Sequence, residues 1–286
     1  MNAAERFFHR HWKPLMFITL AMLLVSVVVV INNTLVHGSF LERDIELTGG
    51  KLITINLAQI PDLKPLQSAL PDVNFRLVTG LQNTLLVEAD VNADENKIIS
   101  DLKALGVSGD YSIQTFGPTI SKVFWQQAQI AIIAAFILMA VVVFILFRTP
   151  VPCTAVLLAA ITDIVVTIAV LGYLEVRLSL AVLAALLMLI GYSVDTDIVL
   201  TTELTKTKEK DIPHRIHAAM KTGLTMTFAA LGALLAMYFV SGSHILQQMS
   251  TVLIIGLLID IPATWLTNSG ILRWWVEKRE KKQTSE

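Results

Sequence analysis

Charge is scarce in this chain. Only 16% of its 286 residues are Asp, Glu, Lys or Arg, against roughly a quarter in an average soluble domain. Cysteine is almost absent: Cys153 stands alone, which excludes an internal disulfide and a zinc site built on thiolates. Its place beside Pro152 at the start of an apolar run reads as packing. No G-x-x-x-x-G-K-[ST] phosphate loop is present, since "TGGKL" lacks the upstream glycine and the hydroxyl residue, and there is no H-E-x-x-H. No metal and no cofactor is therefore expected, and the chain is not read as an enzyme. Work done without a nucleotide site has to draw on an ion gradient or on a partner, and a membrane potential supplies roughly 2.3 kcal/mol per charge per 100 mV.

What the chain has in quantity is apolar sequence, 54% of its residues, with a mean hydropathy of +0.65. Six runs are long enough to cross a hydrocarbon core of about 30 Å: about 14–36, 127–147, 151–173, 178–201, 222–241 and 246–270. The expected fold is an α-helical polytopic membrane protein. The first run, Leu15 to Ile31 at its centre, is too long for a signal h-region and is read as a retained span. With the amino terminus inside, Arg6, Arg10 and Lys13, the turn with Arg148, the loop with Lys206, Lys208, Lys210, Arg215 and Lys221, and the tail with Arg273, Lys278, Arg279, Lys281 and Lys282 all fall on the cytoplasmic side. Only Arg177 is left in the short outer loops, so both termini are predicted to be cytoplasmic. The divisions are 1–36 (terminus and first span), 37–125 (external domain), 126–272 (five-helix bundle) and 273–286 (basic tail).

Residues 37–125 read as a folded α+β domain. "KLITINL", "NFRLV", "TLLVEA" and "YSIQTF" are strand-like, Gly80 and Asn83 are turn residues, and Pro65 shortens the helix at "DLKPLQSAL". In "ADENKIISDLKALG", Ile98, Leu102 and Leu105 share a face, Asp94 and Glu95 suit the first turn, and Gly106 suits the end. The order βαββαβ predicts a ferredoxin-like sandwich. Seven basic against eleven acidic residues, without a basic patch, argue against nucleic acid.

Four acids interrupt the apolar runs: Asp163, Asp195, Asp197 and Asp260. Intramembrane carboxylates are costly and commonly mark ion or proton pathways. Asp163 falls about 18 Å from the cytoplasmic end of its span, with Thr167 one turn on as a prospective donor. In the fourth span, which carries "GYSVDTDIVL", Ala184, Met188, Gly191, Asp195 and Thr202 line one face and Ser193, Asp197 and Thr201 another. Both aspartates are expected toward the cytoplasmic end, with Asp195 the deeper of the two and about 10 Å from the depth of Asp163. Pro262 should disturb the backbone ladder beside Asp260. No Lys or Arg lies at comparable depth, and burial without a cation disfavours a charged carboxylate, so all four are proton-relay candidates. Thr225, Ala229, Gly232, Ala233 and Ala236 form a small-residue stripe that suits close helix approach.

Read in order, the motifs resemble one family. "ELTGG", with Thr48, Gly49 and Gly50, resembles a D-F-T-G-G segment. "GPTIS", with Gly117 and Pro118, resembles a G-P segment before the second span, and "FRTP" resembles an F-R-S turn. Asp163 falls where the family carries H-D, and "KTGLTMTFAALGALLAMYFVSG", with Thr225 and Gly232, resembles R-T-S-L-T-T-L. With Gly191, Tyr192 and Ser193 of the fourth span, this arrangement resembles the SecF family of protein-export membrane subunits. Asp195-Thr196-Asp197 stands where bacterial members read N-D-T, and Thr162 replaces their histidine, a pattern similar to archaeal members. The resemblance implies an RND-type half-unit, a partner SecD, proximity to the SecY channel, an exported polypeptide as cargo, and use of the proton gradient. Two other readings stay open from the residues: a small-molecule or lipid transporter half-unit of the same superfamily, and an intramembrane aspartyl protease, whose glycine-x-glycine-aspartate signature is missing.

Overall fold

The structure is a computed structural model that describes residues 3–57, 61–78, 83–206 and 211–283. Gly80, Lys208 and Lys210 lie outside the described residues, as do the side chains of Arg6, Arg10, Lys13 and Lys282. Six helices are long and apolar enough to cross a membrane: Pro14–Val36, Pro118–Phe147, Pro150–Tyr173, Leu180–Lys206, Ile212–Val240 and His244–Lys281. They run beyond the apolar stretches because helices continue into the water-facing sequence on either side. The first lies in α1 (Ala3–His37) and the next four are α5 (Pro118–Phe147), α6 (Pro150–Tyr173), α7 (Leu180–Lys206) and α8 (Ile212–Val240). Pro118, Pro150 and Pro213 all sit in a first turn, where a missing N–H breaks no helical bond. The sixth consists of α9 (His244–Pro262), a π-helical turn (Ala263–Asn268) and α10 (Ser269–Gln283). The wide turn directly follows Pro262, which has no N–H to give the preceding turn.

Between α1 and α5 lies the α+β domain: α2 (Ile45–Thr48), β1 (Gly50–Leu57), α3 (Leu63–Ala69), β2 (Asn74–Val78), β3 (Asn83–Ala89), α4 (Glu95–Ala104) and β4 (Tyr111–Phe116). The sheet is antiparallel in the order β2-β3-β1-β4, as a ferredoxin-like sandwich requires. Ile53, Ile55, Phe75, Leu85 and Val87 of one sheet face bury Leu66 of α3 with Ile98 and Leu102 of α4. Leu105, expected on that core face, is instead 42% exposed, because α4 ends at Ala104 and the chain turns away through Gly106 at φ +82°. Asp94 caps α4 by accepting from Asn96 N and Lys97 N at 3.0 and 3.4 Å.

The other sheet face looks onto the end of the bundle where α6 passes to α7 and α8 to α9. Thr54, Thr84, Ser112 and Gln114 enclose a polar cavity of about 250 Å³ with Ser179, His244 and Gln248. An ion network fixes this seat. The Arg76 guanidinium bonds both Asp44 (3.1 Å) and Glu88, and Arg177, in the loop between α6 and α7, bonds Glu88 and Glu42. Backbone pairing adds to it: Asp44 N–H donates to Leu178 O at 2.9 Å and Leu178 N–H to Glu42 O at 2.7 Å. Burial lowers the basicity of Arg76, but Asp44 and Glu88 outweigh it and hold the guanidinium above its ordinary range. The two sequence motifs at the domain's ends touch here. Gly49 and Gly50 have φ of +91° and +144°, and a Cβ on Gly49 would lie 3.1 Å from Pro118 Cα, beside Gly117.

Glu88 is 6% exposed and breaking a buried pair is strongly destabilising. Glu88→Gln is expected to cost on the order of 3 kcal/mol and to speed hydrogen exchange at residues 42–46 and 178–180; unchanged exchange there would refute the seat. Glu46 gives a pH test. Its carboxylate accepts from Leu180 N at 2.7 Å, while burial, with help from Asp44 and against the Leu180 bond, pushes its carboxyl above the usual range. Folding therefore takes up a proton there. That contribution is full below the ordinary carboxylate range and is lost as pH rises through the raised value. Thermal melting of Glu46→Gln should decline less than wild type between about pH 4 and about pH 7.

Candidate functional site

Helices α6, α7 and α9 form the buried centre of the bundle. In its apolar stretch α6 is 61% buried and α7 56%, against 11% for α1 and for α5. Close approach of α7 and α9 depends on Gly256, where a Cβ would fall 2.3 Å from Leu189 Cδ2. In this tight contact three of the four predicted acids converge. Asp163 of α6, Asp197 of α7 and Asp260 of α9 are each 0% exposed.

Neutral donors surround them. Ser193 Oγ–H donates to Asp163 Oδ2 at 2.5 Å. Asn268 Nδ2–H donates to Asp197 Oδ1 at 2.6 Å. Thr264 Oγ1 lies 2.9 Å from Asp197 Oδ1 and 3.1 Å from Asp260 Oδ1, and Thr196 Oγ1 lies 3.1 Å from Asp260 Oδ2 and 2.8 Å from the Ser193 carbonyl. The Asp163 and Asp260 carboxyls also meet each other. Asp260, Thr264 and Asn268, spaced by four through the π-helical turn, present one polar stripe to α7. Among the described residues no basic side chain touches these acids, and no group of three His, Cys, Asp or Glu side chains is arranged to hold a metal ion. A cluster of acids, hydroxyls and one amide, closed off from cations, is chemically fitted to hold and pass protons.

Several sequence expectations change. Asp195 does not join the cluster. It is exposed on the outer face of α7 with Gly191, Tyr192 and Met188, as the helical period had separated it from Asp197. Asp197, at the level of the Thr264 and Asn268 side chains, is the buried one. Nor does Asp195 differ by 10 Å in depth from Asp163, since Ser193, two residues before it, bonds Asp163 directly; α7 continues to Lys206, beyond the end that hydropathy gave it. Thr167 Oγ1 has no partner among the described residues, because the Asp163 carboxyl turns across to Ser193 on the facing helix. The stripe Thr225, Ala229, Gly232, Ala233 and Ala236 is exposed rather than packed on this chain; α8 buries Ala219, Gly223, Thr227, Leu231 and Leu234 instead. Small residues at helical spacing show that a helix could approach, not that it belongs to the same chain. Apart from the local helix backbone, nothing among the described residues lies within 4 Å of where a Cβ would stand on Gly191 or Gly232. Thr264 and Asn268 escaped the sequence reading, although their spacing from Asp260 was visible.

Residues 98–278 match the family described as "Protein export membrane protein SecD/SecF, C-terminal". This chain belongs to the SecF family. The protein-export membrane protein SecF of Pyrococcus furiosus is 36% identical, over 91% of this chain and 89% of its own length. That of Methanothermobacter thermautotrophicus is 37% identical, over 94% of each. The fold has a solved counterpart in SecDF of Thermus thermophilus, a translocon-associated membrane protein, with a TM-score of 0.78 at 18% identity. That likeness covers 93% of this chain and 38% of the longer SecDF chain. This SecF-family chain is a membrane protein with six apolar helices and a sheet domain between the first two, the architecture the sequence predicted.

The donors to Asp197 can be tested by stability. Asn268→Leu removes a charge-assisted bond to a buried carboxylate and should cost about 2 kcal/mol. Combining it with Asp197→Leu should cost much less than the two single changes summed, when thermal unfolding of the purified variants is compared. Additive losses would mean that Asn268 does not serve Asp197.

Proposed function

We propose that this chain is an auxiliary subunit of the Sec protein translocase, acting with SecD to promote export of polypeptides across the plasma membrane. Proton movement through the buried acids is coupled to the external domain, which contacts the emerging chain. The observation that carries this reading is the cluster of Asp163, Asp197 and Asp260 at zero exposure without a basic partner, inside a fold shared with a family of export subunits. Both termini are cytoplasmic in this reading, which the distribution of Lys and Arg supports.

The partnership has support of its own. An exposed aspartate in mid-span is unfavourable against lipid, and small residues line tight helix contacts in membranes. Asp195, Gly191 and Tyr192 on α7, with Thr225 and Gly232 on α8, offer such a face outward; SecD is the occupant the reading assigns to it, and SecY the neighbouring channel. α7 also links the two parts of the mechanism. Its outer end is held to the domain through Glu46 and Leu180, and its middle carries Ser193 and Asp197. Coupling requires that the protonation states favour different conformations.

Co-purification of SecD and SecY from native membranes is expected, and their loss from Gly232→Trp but not from Asp163→Asn. Asp163→Asn should assemble normally yet remove at least tenfold of the gradient-stimulated part of export into vesicles. Export that keeps its dependence on the proton gradient in this variant would sink the coupling.

A further inference from the structure

The hydrogens in the acid cluster can be counted. Thr196 and Thr264 contribute one hydroxyl hydrogen each, yet their oxygens make four close contacts with acceptors: Ser193 O, Asp260 Oδ2, Asp197 Oδ1 and Asp260 Oδ1. Two hydrogens cannot fill four contacts. If all three acids were ionised, one short oxygen–oxygen contact at each threonine would be left with no hydrogen between. The Asp163–Asp260 approach would be a contact between two anions. Independently, Asp163 Oδ1 and Asp197 Oδ2 are buried with no donor among the described residues, so the cluster has too few hydrogens to support three full negative charges.

One added proton on Asp260 resolves most of this. With Asp260 Oδ1–H donating to Thr264 Oγ1, the threonine is free to donate its own hydrogen to Asp197 Oδ1, which then accepts from both Thr264 and Asn268. Thr196 serves Asp260 Oδ2 or the Ser193 carbonyl. Asp197, with two donors, is stabilised as the anion. Turned the other way, the same proton bridges Asp260 to Asp163. Asp260 meets Asp163 directly and shares Thr264 with Asp197. The charged groups that face it are Asp163 from α6 and Asp197 from α7. Its own following turn offers neutral Thr264 and Asn268, and the described residues of α1 and α8 bring no charged side chain to the cluster, Thr19 of α1 reaching only the Pro262 carbonyl.

We propose that Asp260 is the proton-holding residue of the site, a neutral carboxylic acid that hands its proton either to Asp163 directly or toward Asp197 through Thr264, and is re-protonated from water. In each transfer an O–H bond breaks on one oxygen as another forms on the acceptor, so no further reactant is needed. This rests on the reading of the acids as a proton site but not on export.

Infrared spectroscopy of the full chain in lipid nanodiscs separates the carbonyl stretch of a protonated carboxyl from that of a carboxylate. The wild type at neutral pH should show an acid band that shifts in heavy water. Asp260→Asn should abolish it, Asp163→Asn and Asp197→Asn should keep it, and Thr264→Val, which leaves Asp260 in place, should move its frequency. A band that survives Asp260→Asn, is abolished by Asp163→Asn or Asp197→Asn, or is absent from wild type overturns the assignment. So does erasure of the band by sodium ions at constant pH, which would make the site a metal-cation site. The band is read without any export, so it can fail while the translocase reading stands, and export can fail while the band is present.

Discussion

A carboxyl group enclosed by hydrocarbon and apolar side chains has two ways to exist: it finds a cation, or it shares hydrogens with neighbours and limits its charge. Among the described residues no cation stands at Asp163, Asp197 or Asp260, and the helices supply hydrogens instead. Ser193 and Thr196 come from α7 and Thr264 and Asn268 from the turn after Pro262. Gly256 lets α7 and α9 come close enough for those short side chains to reach across. The wide turn that follows Pro262 carries Thr264 and Asn268 to Asp197.

The α+β domain uses the opposite solution where it meets the bundle. Asp44 and Glu88 are paired with Arg76, and Glu88 and Glu42 with Arg177. Those pairs hold the domain on the loop that leads into α7, whose first residue Leu180 donates its N–H to Glu46. One helix is thus tied at its first residue to a folded domain and at its middle to the acid cluster. In the proposed coupling, a shift of α7 that accompanies loss of a proton reaches the α+β domain through this connection.

Much of this was legible in the sequence, and where it was not the reason is physical. Hydrophobic length gave six spans, and period-two alternation with turn residues gave the four strands. The 3.6-residue period correctly put Asp195 and Asp197 on different faces. Periodicity carries no information about which face meets a neighbour, so it could not say that Asp197 is the enclosed one and Asp195 the outward one. For the same reason the stripe through Gly232 read as internal packing. Depth along a span was misjudged because hydropathy marks the hydrocarbon stretch, while α7 runs on to Lys206. Thr264 and Asn268 were missed because threonine and asparagine are unremarkable in a membrane helix until an acid on another helix faces them.

The central claim is that protons in the bundle and the posture of the external domain are linked through α7. Hydrogen exchange at residues 42–46 and 178–180, followed in proteoliposomes with and without an imposed proton gradient, tests it most directly. A gradient-dependent change in protection there, absent from Asp260→Asn, is the predicted result; identical protection with and without the gradient in the wild type would contradict the account.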